Sequence, residues 1–178
     1  MRGSRPKATS PRCRSLIVAT RVGQNTGDTQ QFLPMVAAAG QAADDCRKAS
    51  GRDDLAIGVA LADAGYFSEV NLTAPGPDRL IALSKGSRQH NDAVRRPAIG
   101  APPPGAGPRE AMDHRLRTAE GARLYKRRGA TVEPAIGNLK KIITRFSSRG
   151  LQAATAEIDL AAAAFNLLKI HRAGPALA

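Results

Sequence analysis

Tryptophan is absent from this 178-residue chain, and aromatic residues make up only 3% of it. The rings that fill most protein cores are therefore nearly missing. Much of the 42% hydrophobic content is alanine, which buries little area per residue, so a thin core and marginal stability are expected. Cysteine is scarce too. Cys13 and Cys46 lie far apart with no metal-type spacing, which excludes a disulfide framework and a zinc site and reads as two free thiols in a reducing, cytoplasmic setting. His90, His114 and His171 are scattered and form no ligand pattern. No apolar run approaches the roughly 20 residues needed to span a bilayer, so no membrane partner is expected. Acid is locally scarce as well: between Glu120 and Glu157 the single carboxylate is Glu133.

What the chain has in excess is positive charge. Its formal net charge is +12, and an excess of that size points to a polyanion partner, most often nucleic acid. The length suits one domain. Residues 1–14 carry five cations and no acid and read as a disordered basic tail; 173–178 reads as a second tail. "SLIVATRV" (15–22) is β-branched and apolar, hence a strand. Asp28 or Thr29 can cap the helix "TQQFLPMVAAAGQAADD" that follows, with Pro34 tolerable near its first turn. Across "LAIGVALAD" (55–63), Leu55, Ile57, Val59, Leu61 and Asp63 share one parity while Ala or Gly fill the other. That is a strand with something packed closely on its small-residue face, so it belongs inside an α/β sheet. Asp63 falls at its C-terminal end, where open α/β sheets bind ligands, and is also placed to cap the next helix. "RLIALSK" (79–85) reads as a further strand. Residues 94–108 are dominated by Pro, Gly and Ala and read as a flexible loop. Helices are expected at 109–127, 131–146 and 151–172, with Gly150 as the stop between the last two.

Within the helix expected from Thr131, the apolar residues Val132, Ile136, Leu139, Ile143 and Phe146 form one stripe. Glu133 and Lys140 stand seven apart on its flank, with Gly137 between them leaving the surface low. Lys126 extends the row if the helix continues upstream, although Gly129 favours a break, with Thr131 as the cap and Pro134 in the first turn. An acid in a first turn complements the helix dipole without any further role. A carboxylate beside a basic strip can also hold a divalent cation where phosphate arrives, since Mg²⁺ favours one or two carboxylates plus phosphate oxygens and water.

These residues resemble a family. "YKRRGATVEPAIGNLK" resembles the tyrosine–arginine–glutamate–lysine signature of bacterial insertion-sequence transposases of the DDE type, through Tyr125, Arg128, Glu133 and Lys140. "ADAGYFSE" resembles the segment carrying that family's second catalytic aspartate, which maps to Asp63. "RFSSRGL" with "FNLLK", and "SLIVATRV" with "DTQQFLPMV", are similar to its flanking segments. The resemblance implies an α/β, RNase H-like fold over residues 15–172. It implies Asp63 and Glu133 as catalytic and metal-binding carboxylates, and two Mg²⁺ (or Mn²⁺) ions driving phosphoryl transfer on DNA. It implies DNA contacts from Tyr125, Arg128 and Lys140, alongside the neighbouring cations Lys126, Arg127 and Lys141. Ala135, where a larger side chain is usual, and "EID" in the last helix depart from the pattern.

The family's first aspartate belongs on a strand two before "SLIVATRV", and nothing in residues 1–14 resembles it. The expectation is thus a truncated RNase H-like fold of about three strands with a helical C-terminal half, inactive alone. "SLIVATRV" is then left to pair with the strand at 55–63, hang as an orphan, or seek another chain. Two other readings stand beside this one. The chain is a non-catalytic basic DNA-binding module, or it is an interaction fragment that binds full-length transposase or its own copies.

Overall fold

The alternating segment at 55–63 becomes a strand over Val59–Ala62 (β1), and "RLIALSK" becomes one over Asp78–Ile81 (β2). They pair in parallel, from Val59 opposite Asp78 to Ala62 opposite Ile81. The computed structural model describes residues 15–24 and 27–172. Among these the sheet has two strands rather than about three. The tails at 1–14 and 173–178, together with Cys13, lie outside the described residues. Helices complete the architecture: α1 (Phe32–Ser50), α2 (Glu69–Thr73), α3 (Gly86–Arg95), α4 (Pro108–Arg117), α5 (Ala119–Ile142) and α6 (Leu151–His171). The result is a mixed, helix-rich α/β chain with a small parallel sheet.

The two parities of β1 face different layers. Ala60 and Ala62 join Phe32, Leu33 and Val36 of α1 and Ile81 of β2 in one cluster. Val59 and Leu61 join Leu80, Met112 and Leu116, with Leu124 and Tyr125 of α5, in the other. The small-residue face thus admits α1 closely, as its composition predicts, and the sheet is covered on both sides. Leu80, Ile81 and Ala82 are fully buried. A buried cation sits among them: Arg79 is 7% exposed, and its guanidinium donates to the carbonyls of Pro77 (3.2 Å) and Asn71 (2.8 Å) while lying over the Phe32 ring.

The expected strand at 15–22 forms no ladder. Ile17 instead exchanges two hydrogen bonds with the Asn166 side chain of α6: its N–H donates to Oδ1 (2.8 Å) and its carbonyl accepts from Nδ2 (2.7 Å). A side-chain amide presents the same donor–acceptor pair as a backbone unit, so one asparagine takes the place of a neighbouring strand. Thr20 also bonds Asp159 on α6. Of the three fates open to this segment, it takes that of an orphan, laid on a helix.

The helix boundaries of the C-terminal half also differ from the pattern reading. The break falls at Thr118 rather than after residue 127. Thr118 Oγ1 accepts from the Gly121 N–H (3.0 Å) and donates to the Arg115 carbonyl (2.7 Å), closing α4 and capping α5 at once. Gly121 fits because it lacks a side chain: a Cβ there would lie 1.9 Å from the Arg115 carbonyl oxygen. Gly129 does not break α5, since one helical glycine costs only about 1 kcal/mol and packing offsets it. Pro134 lies inside α5 instead of in a first turn. It removes the amide that the Ala130 carbonyl would accept, but this stretch is exposed and solvent can serve that carbonyl. The apolar stripe of this helix is only half covered, with Ile136 46% exposed, and the helix ends at Ile142 rather than 146, leaving Phe146 (40% exposed) outside it. Gly150, at φ 98°, precedes α6 rather than ending α5. The loop before it is held by the Glu157 carboxylate, which accepts from the N–H groups of Ser147 and Ser148. The helix α3, built from a polar stretch with no apolar period, went unread in the sequence; it covers the first two residues of the expected 94–108 loop. That loop is tied at its start by the Ala98 N–H to Arg117 carbonyl bond (3.1 Å).

Two outcomes follow for stability. Gly121→Ala forces α4 and α5 apart and is expected to cost about 3 kcal/mol in chemical denaturation, against a few tenths for an exposed control. Arg115 grips Asp78 through both carboxylate oxygens, holding that carboxyl below its ordinary range. A depressed carboxylate contributes stability above its unfolded pKa of about 3.9 and loses it as pH falls through the folded value. Denaturation midpoints are therefore expected to drop on acidification below about pH 4, and Asp78→Asn should lower the neutral midpoint slightly while flattening that acid limb. Both side chains are half exposed, so the effect is below about 1 kcal/mol.

Candidate nucleic-acid and metal site

Asp63 follows directly on β1 and shares the parity of Val59 and Leu61, so its side chain leaves the sheet on the side covered by α4 and α5. It stands at the end of the strand as expected, and it caps a 3-10 turn rather than the helix that follows, which Ser68 caps. Its Oδ1 accepts from the Gly65 N–H (3.0 Å), capping the 3-10 turn Ala64–Tyr66. Its Oδ2 lies 3.6 Å from Nη1 of Arg128 on α5. A capping aspartate uses part of its acceptor capacity, and a carboxylate has about four lone-pair sites.

Along α5 the chemistry divides by face. Arg128 turns inward to Asp63 and lies over the Tyr125 ring at 5.7 Å. The Tyr125 hydroxyl is buried and has no hydrogen-bond partner among the described residues. Burial pushes its phenol up, and the Arg128 charge opposes that shift. Lys126, Arg127, Lys140 and Lys141 are exposed. Because α5 runs unbroken through Gly129, Lys126, Glu133 and Lys140 stand in one row at seven-residue spacing, about 10.5 Å apart along the axis. Glu133 is exposed and leans back toward Gly129, where a Cβ would lie 3.3 Å from its Oε1. It shares a cavity of about 230 Å³ with Tyr125, Lys126 and Arg128, closed on the other side by Gln89 and His90 of α3. Gln89 is 3% exposed, and its Nε2 is also unpaired among the described residues.

Asp63 and Glu133 are thus linked through one helix. The residue set against Asp63 is Arg128, and Glu133 stands five positions further on, about 7.5 Å along the axis. Among the described residues no group of three His, Cys, Asp or Glu side chains gathers to hold a metal. One carboxylate that the sequence reading offered as a helix cap, that of Asp28, comes close to Gly65 beside Asp63. Asp28 precedes the 3-10 turn Thr29–Gln31, but its side chain makes no capping bond. Its carboxylate turns toward Gly65: a Cβ on Gly65 would lie 3.2 Å from Asp28 Oδ2 and 3.1 Å from Asp63 Oδ1. Thr29 Oγ1 donates to the Gly65 carbonyl (3.2 Å), which fixes the two turns together. Burial first, and then the charges of Asp28 and Asp63, push the Tyr66 phenol above its ordinary range. The signal for Asp28 was present in the sequence only as its type; the contact depends on the glycine of "ADAGY".

This helical half also matches a known family. Residues 104–171 match the transposase DDE domain. The match runs from just before α4 to the end of α6 and contains Tyr125, Arg128, Glu133 and Lys140; Asp28 and Asp63 lie outside it. The DDE-type transposase reading of the sequence therefore holds for this segment. No curated protein and no solved structure matches the chain. DDE transposases are generally dependent on divalent metal. The donors at hand do not make up a two-metal site, since the Asp63 carboxylate at the strand end is engaged by Gly65 and Arg128 and no third acidic side chain gathers with it among the described residues. No helix among the described residues is long and apolar enough to cross a membrane.

Arg128 lowers both nearby phenols, so Arg128→Leu is expected to raise the titration midpoints of Tyr66 and Tyr125, read by phenolate absorbance. With only two tyrosines and no tryptophan, the signal reports this site alone.

Proposed function

We propose that this chain is the DNA-handling part of a DDE transposase and that it binds DNA without cutting it by itself. Asp63 and Glu133 are its carboxylates of metal-dependent strand transfer. Tyr125, Arg128 and Lys140 meet phosphates near the reacting bond, and Lys126, Arg127 and Lys141 extend that footprint along α5. The observation that carries this reading is the reach of Arg128, from inside the matched DDE segment to Asp63 at the C-terminal end of β1. That reach joins the basic helix to the sheet edge where α/β folds bind ligands. Inactivity alone rests on the small carboxylate count at the site, because a two-metal mechanism needs both ions neutralised and held. An RNase H-like arrangement, Mg²⁺ or Mn²⁺ as the ion, and assembly with full-length transposase or another copy belong to the same reading.

The test is binding of duplex DNA by fluorescence anisotropy from 50 to 200 mM salt, together with a strand-cleavage assay in Mg²⁺ or Mn²⁺. Affinity should fall steeply with salt and vary little with sequence. Each of Lys126→Gln, Arg127→Gln, Lys140→Gln and Lys141→Gln should reduce the salt slope by about 1. Glu133→Gln should remove any Mg²⁺ dependence of binding; on a purely basic module it would only tighten binding slightly. Robust cleavage that disappears on Asp63→Ala would overturn the claim of inactivity.

A further inference from the structure

Two buried polar atoms are left without partners where the chain passes from β2 into α3. Ser84 follows the end of β2, and its Oγ is shut away from solvent with no hydrogen-bond partner among the described residues. Gln89 is 3% exposed, and its Nε2 is in the same condition. The orientation of that amide is fixed, because Oε1 accepts from the Leu83 N–H (3.3 Å) and only the donor end is left over. A buried donor without an acceptor is costly. Both residues line a cleft of about 870 Å³ between α3 and α4, within the size range of small-molecule sites. It opens beyond the C-terminal end of β2, the edge at which parallel strands present ligands. Gln89 also borders the smaller cavity beside Tyr125, but Ser84 does not, and every residue lining the larger cleft precedes α5 in the chain.

The charges of the cleft are sorted. Its three carboxylates are engaged: Asp92 by Arg96 (3.2 Å), Asp113 by Arg117 (2.9 Å), and Glu110 by the Gly107 N–H (3.3 Å) at the start of α4. Two cations are matched by no carboxylate among the described residues. Arg109 lies over the Phe67 ring at 5.1 Å, and Arg88 is exposed with its guanidinium in no ion pair or hydrogen bond.

We propose that this cleft seats a terminal phosphate, a phosphate carried on one ester bond, with Ser84 Oγ and Gln89 Nε2 donating from the floor and Arg88 and Arg109 supplying the charge. Such a group carries about two negative charges at pH 7 and three acceptor oxygens, which two guanidiniums and two neutral donors complement. The depth of the donors selects it. Both floor atoms are closed off from solvent, so only a group that projects into the cleft reaches them. An internal phosphodiester is flanked by sugar on two sides and stays at the mouth. Hydrolytic cutting of a DNA strand leaves one new end as a terminal phosphate, so a DNA-cutting partner of this chain would produce the ligand. The seat itself uses none of Tyr125, Arg128, Glu133 or Lys140 and goes beyond the role proposed for them.

Binding to the full chain is read by fluorescence anisotropy of a short single-stranded oligonucleotide labelled at its 3′ end, made once with a 5′-phosphate and once with a 5′-hydroxyl. The phosphorylated strand should bind at least about tenfold tighter, the worth of one charge-assisted hydrogen bond. Arg88→Gln and Ser84→Ala should each remove most of that preference, whereas Lys126→Gln should weaken both strands alike and keep it. Arg88 has no partner in the fold, so Arg88→Gln decides the matter should Ser84→Ala disturb the strand end. Thymidine 5′-monophosphate should displace the phosphorylated strand, and thymidine should not. Displacement by the mononucleotide at concentrations like those of the strand itself makes a free nucleotide the ligand; displacement only at far higher concentrations makes it a strand end, and both outcomes support the seat. Equal affinity of the two strands, or a preference untouched by Arg88→Gln, overturns it and leaves Ser84 and Gln89 to buried water. Should neither strand bind, the DNA-handling reading fails, and calorimetry with thymidine 5′-monophosphate then decides the seat, binding supporting it and no binding overturning it.

Discussion

One buried amide holds the site together. Asn71 is 3% exposed, and its Nδ2 joins two carbonyls from turns far apart in sequence, Thr29 and Tyr66. Its own carbonyl accepts from the buried guanidinium of Arg79 on β2. The turn bearing Asp28, the turn after Asp63 and the sheet are therefore fixed through a single residue. Without that side-chain amide, two part-buried carbonyls lose a donor, a cost of about 1–3 kcal/mol for each group left unsatisfied. A core as poor in aromatics as this one has little reserve to meet such a cost.

The electrostatics of the chain have a local grain that its net charge hides. Asp63 divides its two oxygens between a backbone amide and a guanidinium, and a second carboxylate approaches from the side. The basic helix α5 meanwhile turns Arg128 inward and leaves Arg123, Lys126, Arg127, Lys140 and Lys141 exposed. A polyanion arriving at the exposed face would draw on Lys126, Arg127, Lys140 and Lys141 without disturbing the inward pair. Attraction over distance and positioning at the reacting bond are thus assigned to different residues of one helix.

Much of this was legible in the sequence because period and parity are local. The strand around Val59–Ala62, its small-residue face, the position of Asp63 at its end and the pair Glu133–Lys140 all follow from spacing. What was not legible depends on contacts between distant segments. Nothing in "SLIVATRV" says that Asn166 will stand in for a neighbouring strand. Nothing in "RGATVEP" says that packing will carry α5 through a glycine and a proline. Nothing in Asp28 alone says that its carboxylate will leave its own turn for Gly65. α3 was missed for the same reason: its sequence is polar apart from Ala93 and Val94, and its burial centres on Gln89, which tertiary context alone explains.

The junction at Thr118 sets how force moves through the molecule. With less than a methyl group of slack between Gly121 and the Arg115 carbonyl, α4 and α5 cannot slide or hinge past one another. Arg115, at the pivot, grips Asp78 at the head of β2. The head of β2 is thereby tied to the junction of the two helices rather than to either helix alone.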